Sequence, residues 1–368
     1  MDNWMNRVTA NESNNLEEYL EKLQSRDPDT RENAVIKLGK LGDKSAVPAL
    51  LELLNKDREI GVRTKAAMAL GKIKDKSAAP ALLKVLMEDK SSDVRSQAVL
   101  ALGEIEDSSA VPALLKVLTE EKTEILRQNA AIALGKIKDK SAAPALLKVL
   151  MEDKSSDVRS QAVLALGEIK DTTSALALFK VLMEEKEDPL RRNAAIALGK
   201  MKDKAAIAPL SKALVDDKCV EVRSEAALAL GEIGDRSSLS ALLGILVEKK
   251  DEDAVRLNCA IGLGKMKDKT AVPALLKILM EDQSSDIRSR AASSLAEIGD
   301  KSAVPALLNV LMDDLSSQVR INAITALSKI GDRSVAAALL GVMTEDENPD
   351  VRESAAEALK TMKMRASR

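Results

Sequence analysis

Eleven arginines mark this 368-residue chain at an almost constant interval: Arg31, Arg63, Arg95, Arg127, Arg159, Arg191, Arg223, Arg256, Arg288, Arg320 and Arg352. The step is 32 residues every time but one, Arg223 to Arg256, where it is 33. A guanidinium presents a rigid fork of donors that grips phosphate or carboxylate oxygens two at a time. The row therefore predicts either a phosphate-binding edge or a ladder of arginine–carboxylate pairs. An acidic turn such as Glu88-Asp89-Lys90 precedes each arginine. The chain thus supplies its own carboxylates, and the ladder is the stronger reading.

Other chemistry is thin. The chain has no histidine, which removes the usual acid/base group near neutral pH and the commonest metal ligand. Ser and Thr then lack a base to activate them. Cys219 and Cys259 form no metal-binding pair. Cys259 stands at a core alanine position, and Cys219 at a helix cap. The glycines that follow leucine, as at Gly103, sit inside a helical pattern and make no phosphate loop. No catalytic residue, metal site or cofactor is expected. A net charge of −2 with 31% charged residues gives no field for nucleic acid or acidic lipid. No run of 18 apolar residues exists to span a membrane. Residues 1–14 are polar, with no signal-peptide core, so a cytoplasmic protein is expected.

The elements that carry the arginines repeat with them. Counting from each arginine, position +3 is Ala (Cys259 once), +7 is Leu, and +12 is Asp, from Asp43 to Asp332. A second helix follows, as in Ser77-Ala78-Ala79-Pro80-Ala81-Leu82, with Ser77 as the expected N-cap and Pro80 in the first turn. Ser91 then caps the next arginine helix. Ahead of the array, Leu16, Tyr19, Leu20 and Leu23 predict a helix ending near Arg26. Residues 1–14, including Trp4, read as a polar lead-in, and residues 15–368 as one array of about eleven helix pairs. Residues 70–105 and 134–169 are identical, so the unit of duplication is 64 residues. Position +9 alternates accordingly: Lys72, Glu104, Lys136, Glu168, Lys200, Glu232, Lys265, Glu297, Lys329.

The pattern Val-Arg-x-x-Ala-x-x-Ala-Leu-Gly-x-Ile-x-Asp-x-x-Ala-x-Pro-Ala-Leu-Leu, seen from Val94 onward, resembles HEAT repeats of the short phycobilisome-lyase type. The resemblance implies an all-α fold, a right-handed alpha-solenoid of two-helix repeats with the arginine helices lining its concave side. HEAT-like repeats serve scaffolds, adaptors, lyase subunits and hydroxylases alike. The hydroxylases hold iron through His-Glu motifs, which a chain without histidine does not carry. HEAT-like DNA glycosylases use aromatics in a basic groove, and Trp4, Tyr19 and Phe179 are the only aromatics here.

At about 100° per residue, positions −1, +3, +7 and +10 of the arginine helix form one apolar stripe toward the partner helix. Positions +2, +5 and +9 face away and should line the concave groove. Position +5 carries Leu100, Ile132, Leu164, Ile196 and Leu228, turning polar at Ser293, Thr325 and Glu357. Position +2 carries Gln97, Asn129, Gln161, Asn193 and Asn258. An apolar row beside an amide row suits a protein or peptide partner. The bland alternative is that +5 side chains cover one another, the amides bond along their row, and the +9 charges form an inter-repeat ladder. Lys37 at +6 and Lys360 at +8 put charges where inner repeats carry small residues, as terminal caps do. The functional expectation is a non-enzymatic, monomeric scaffold that binds a protein partner along the groove, without nucleic acid or membrane. The alternative is a phycobilin-lyase-like or chaperone-like accessory subunit.

Because stability in such arrays is a sum over neighbouring repeats, deleting residues 102–165 in register should leave a shorter protein that is helical by circular dichroism and melts cooperatively. Loss of helicity would rule out the repeat architecture.

Overall fold

The structure, a computed structural model, describes residues 15–248, 251–331 and 333–366. Trp4 and Asp332 lie outside the described residues. All regular structure among the described residues is helical, and no described helix is long and apolar enough to cross a membrane. The first helix ends at residue 22, a turn earlier than its leucine spacing suggests. The basic end of the chain, rather than fraying after Met362, stays helical in Pro349–Ala366.

The chain divides into two compact units, Met1–Ala177 and Leu178–Arg368. In the first, the arginine helices are Pro28–Leu41, Ile60–Ile73, Ser92–Ile105, Glu124–Ile137 and Ser156–Ile169, each 14 residues. Ten-residue helices alternate with them: Val47–Lys56, Ala79–Glu88, Val111–Glu120 and Ala143–Glu152. In the second unit the long helices begin with Asp188–Met201 and end with Pro349–Ala366. The short ones run from Ile207–Asp216 to Ala336–Glu345. In both units each short helix packs along the long helix that follows it, and consecutive long helices pack on each other. Neighbouring short helices touch only lightly. Each unit is therefore an alpha-solenoid stack of short–long hairpins.

Local chemistry sets the boundaries. Ser91 caps Ser92–Ile105, its hydroxyl accepting from the Asp93 amide at 3.3 Å. At the other end the chain reverses through a left-handed residue, Lys74 at φ 57° or Lys138 at φ 59°. The expected cap at Ser77 is displaced. Asp75 is the extended residue there, and its carboxylate accepts from the Ser77 amide at 2.9 Å. Ser77 falls inside a 3₁₀ turn, Lys76–Ala78, and Pro80 follows in the first turn of Ala79–Glu88. A carboxylate reaching two residues on makes a stronger cap than a serine already within the turn.

The long helix is buried on three sides. Val94, Ala98, Leu102 and Ile105, the predicted stripe, are buried, and so are Val99, Ala101 and Gly103. Those additional positions meet the neighbouring long helices. A Cβ built on Gly103 would lie 2.8 Å from the Ala133 Cα. Only a residue without a side chain lets the backbones come this close. Gly341, on a short helix, has nothing within 4 Å of a built Cβ.

The two glycines should respond oppositely to alanine. Gly103→Ala should lower the melting midpoint, its overpacking of about 1–3 kcal/mol exceeding the ~1 kcal/mol gained in helix propensity. Gly341→Ala should raise it. Equal shifts in thermal denaturation would refute the close-approach account.

Candidate functional site

What remains of the long helix after this packing is the strip at +2, +5 and +9. Leu100, Ile132 and Leu164 in the first unit are half-buried, and Ile196 and Leu228 in the second likewise. The +5 row is thus partly covered by its surroundings, with an accessible edge in every repeat. Thr325 and Glu357, where the row turns polar, are exposed. Ile132, Leu164 and Gln161 come together in one recess of about 320 Å³, edged by Glu106, Lys136, Lys138 and Glu168. Leu100 is not among its lining residues.

The amide row is less free than its pattern suggests. Asn129, 6% exposed, donates from Nδ2 to the Ser96 hydroxyl of the preceding repeat at 2.6 Å. Asn258 donates to the Ser224 carbonyl at 3.4 Å, and Asn322 to the Ser289 hydroxyl. The amide nitrogens of Asn129 and Asn258 therefore tie repeats together. The half-buried Gln97 and Gln161 of the first unit have no such bond to a preceding repeat, and Asn193 of the second unit is half-buried. Serine at +1, one residue after the arginine, was the missed signal for two of the bonded asparagines: Ser96 and Ser289 supply the hydroxyls that Asn129 and Asn322 bond.

The +9 charges form a ladder. Lys136 donates to Glu104 of the preceding repeat, and Lys265 to Glu232. From the other side Lys74 lies 3.7 Å from Glu104, and Lys202 lies 3.8 Å from Glu232. The left-handed conformation of Lys74 and Lys202 aims them there. The hydrogen bond from Lys136 holds Glu104 below the ordinary carboxylate range despite partial burial, as Lys265 does for Glu232. These groups are over a third exposed, so each pair contributes little on its own.

The arginines take the carboxylate role. Arg127 grips Asp153 through Nε and Nη2 at 2.8 and 3.0 Å, and its Nη1 donates to the Glu121 carbonyl at 3.0 Å. One side chain thus ties the turn before its own helix to the turn of the next repeat. Asp153 also accepts from the Ser155 amide at 2.9 Å. The same bidentate grip joins Arg31 to Asp57, Arg63 to Asp89, Arg191 to Asp217, Arg288 to Asp314 and Arg320 to Asp346. Arg95 faces Glu121 instead, at 4.0 Å. The longer side chain spends its oxygen on the Lys122 and Thr123 amides. Guanidiniums engaged in this way leave no phosphate-binding edge.

With this geometry the class is an alpha-solenoid repeat protein built on an arginine–aspartate turn lock. The sequence profile of HEAT repeats matches overlapping windows from 16–102 through 272–360, and the chain belongs to the HEAT-repeat family. Comparison with curated proteins finds no match. Among solved structures the fold is similar to Kap95p, whose binding induces the switch loops of RanGDP to adopt the GTP-bound conformation. Identity is 16% over 98% of this chain and 58% of that one, with a TM-score of 0.61. It is also similar to the karyopherin Kap121p bound to the extreme C-terminus of the protein phosphatase Cdc14p, at 16% identity, 94% and 46% coverage and a TM-score of 0.58. The chain therefore spans about half the length of these two relatives. A chain of the CpcE–CpcF phycocyanin lyase complex from Nostoc sp. PCC7120 is 24% identical over 68% of this chain and 93% of that one. Its TM-score is 0.43.

The lock carries a pH signature. The Arg127 hydrogen bond holds Asp153 below its ordinary range, outweighing burial. A depressed folded pKa gives stability that is present above the unfolded value of about 3.9 and is lost as pH falls through the folded one. Melting midpoints should therefore stay level from pH 8 to about 5 and drop below about 4. Asp153→Ala should cost about 2–3 kcal/mol at neutral pH, and less in acid. An equal cost at both pH values would count against the lock.

Proposed function

We propose that this chain is a non-enzymatic scaffold that binds a protein or peptide segment along its long-helix face. The carrying observation is the recess between Ile132 and Leu164. It offers apolar contact area at the bottom and the Gln161 amide with charges of both signs at the edge, which suits an extended or helical segment. The half-buried rows through Leu100, Ile132 and Leu164, and through Ile196 and Leu228, would supply repeated contacts. Gln97, Gln161 and Asn193 would orient the bound backbone. That the array continues as one right-handed solenoid over residues 15–368 belongs to the same proposal. The Kap121p complex supports the reading only in that a chain of this fold holds a protein terminus.

Affinity capture from native extract tests it. A double change, Ile132→Asp with Ile196→Asp, should abolish capture of the partner while helix content stays unchanged. Retention of the partner by the double variant would remove the groove from consideration.

A further inference from the structure

A second surface lies on the opposite, turn-side edge of the second unit. Because neighbouring short helices touch only lightly, a cleft opens between their C-terminal ends. The cleft beside Arg63 is edged by Lys56, Lys84 and Lys90, with Glu88 the one carboxylate not held by an arginine lock. The corresponding cleft beside Arg320, of about 390 Å³, differs in kind. Counted from the arginine of each cleft, Gly341 stands where Lys84 stands, Asp313 where Lys56 stands and Glu347 where Lys90 stands, while Leu315 takes the position of Arg58. All three lysines that edge the earlier cleft are gone, two of them replaced by carboxylates.

Apolar surface lies in the open beside these carboxylates. Leu315 is 96% exposed and Met312 62%. Buried Leu311 and Val342 line the cleft behind them. Asp314 and Asp346 are held by Arg288 and Arg320. Around the rim Asp313, Glu345 and Glu347 are exposed. Glu347 reaches only Arg320, at 3.8 Å, and Asp346 already occupies that guanidinium. A leucine in full solvent beside a methionine, ringed by three carboxylates, is an unusual arrangement for a soluble surface turn. It complements one kind of partner in shape and charge.

We infer that this cleft docks a peptide segment carrying a bulky apolar residue flanked by lysine or arginine. The apolar side chain would enter between Met312, Leu315 and the open face at Gly341. The flanking cations would meet Asp313, Glu345 and Glu347. Charge complementarity sets the direction of the choice: an acidic or purely apolar segment would meet the same rim unfavourably or without gain.

The probe is a fluorescein-labelled, end-blocked nonapeptide with two central leucines and two lysines or arginines on each side. A control peptide carries glutamates in place of the cations. Anisotropy titrations use the full chain and a variant with Leu315→Lys and Gly341→Lys. Both changes restore residue types that the other repeats already hold, and nothing lies within 4 Å of a Cβ at Gly341, so the fold tolerates them. The basic peptide should bind the full chain and weaken several-fold on raising salt from about 50 to 200 mM. The control should not bind. The double lysine variant should lose at least about tenfold in affinity. The Ile132→Asp, Ile196→Asp variant should bind as the parent does, which separates this cleft from the long-helix face. No binding, equal binding by the lysine variant, or loss of binding in the long-helix variant would each overturn the inference. So would a dimer in sedimentation that depends on Leu315, since a second copy would then be the occupant.

Discussion

Consecutive long helices lie so close that a single methylene decides whether they fit. The glycine at +8 meets the alanine at +6 of the next repeat, as Gly103 meets Ala133, where a built Cβ would lie only 2.8 Å from the Ala133 Cα. Real carbon contacts do not close to that distance, so the pair is fixed by geometry rather than by composition. The close approach carries the rest of the arrangement. It buries Val99 and Ala101 as completely as the stripe toward the short helix. A helix buried on three sides has one strip left, and that strip is +2, +5 and +9. The face proposed for binding is what packing leaves over.

Close-packed helices still need their angle and register held, and polar groups at both ends do this. At the turn end, Arg127 bridges the Glu121 carbonyl and the Asp153 carboxylate, which in turn satisfies the Ser155 amide. Charge-assisted, bidentate and at most about a sixth exposed, this lock outranks the surface pairs. At the other end Glu104 sits between Lys74 and Lys136, and this contributes less because water competes. The two-repeat alternation of lysine and glutamate has a physical sense here. Identical charges at +9 in successive repeats would face each other across the same short gap.

The fold was legible because its constraints repeat. Arginine and leucine at fixed offsets are read eleven times over and aspartate ten times, and each instance votes for the same helix and the same turn. The arginine–carboxylate ladder followed from charge and position alone. What the sequence could not show is how individual side chains spend their hydrogen bonds. Ser77 looks like a cap, yet Asp75 reaches the amide first. Asn129 looks like a groove amide, yet Ser96 lies within 2.6 Å of it. The +5 row reads as apolar, but its half-burial depends on how far neighbouring helices stand apart. Leu315 was missed for a different reason: it breaks no helical pattern, and only its turn position and exposure single it out.

The one irregular step tests how rigid these constraints are. Between Arg223 and Arg256 the chain carries an extra residue, yet the long helices on both sides keep their 14-residue length. The turn takes up the difference. Arg223 finds its carboxylate in Asp251, 28 residues on instead of 26, and adds Glu252. Arg256 keeps Asp282 and directs Nη1 to Asp253. The helix interface also changes. Gly262 replaces the usual alanine at +6, and a Cβ on Gly231 would lie 2.4 Å from the Gly262 Cα, closer than at any neighbouring junction. Two glycines face each other where the lock is rearranged, so the helices draw nearer as the turn lengthens. The array thus holds its helix register and lets the turns vary. Variation of that kind, at Leu315 as at Asp251, is where one repeat can come to differ in function from the next.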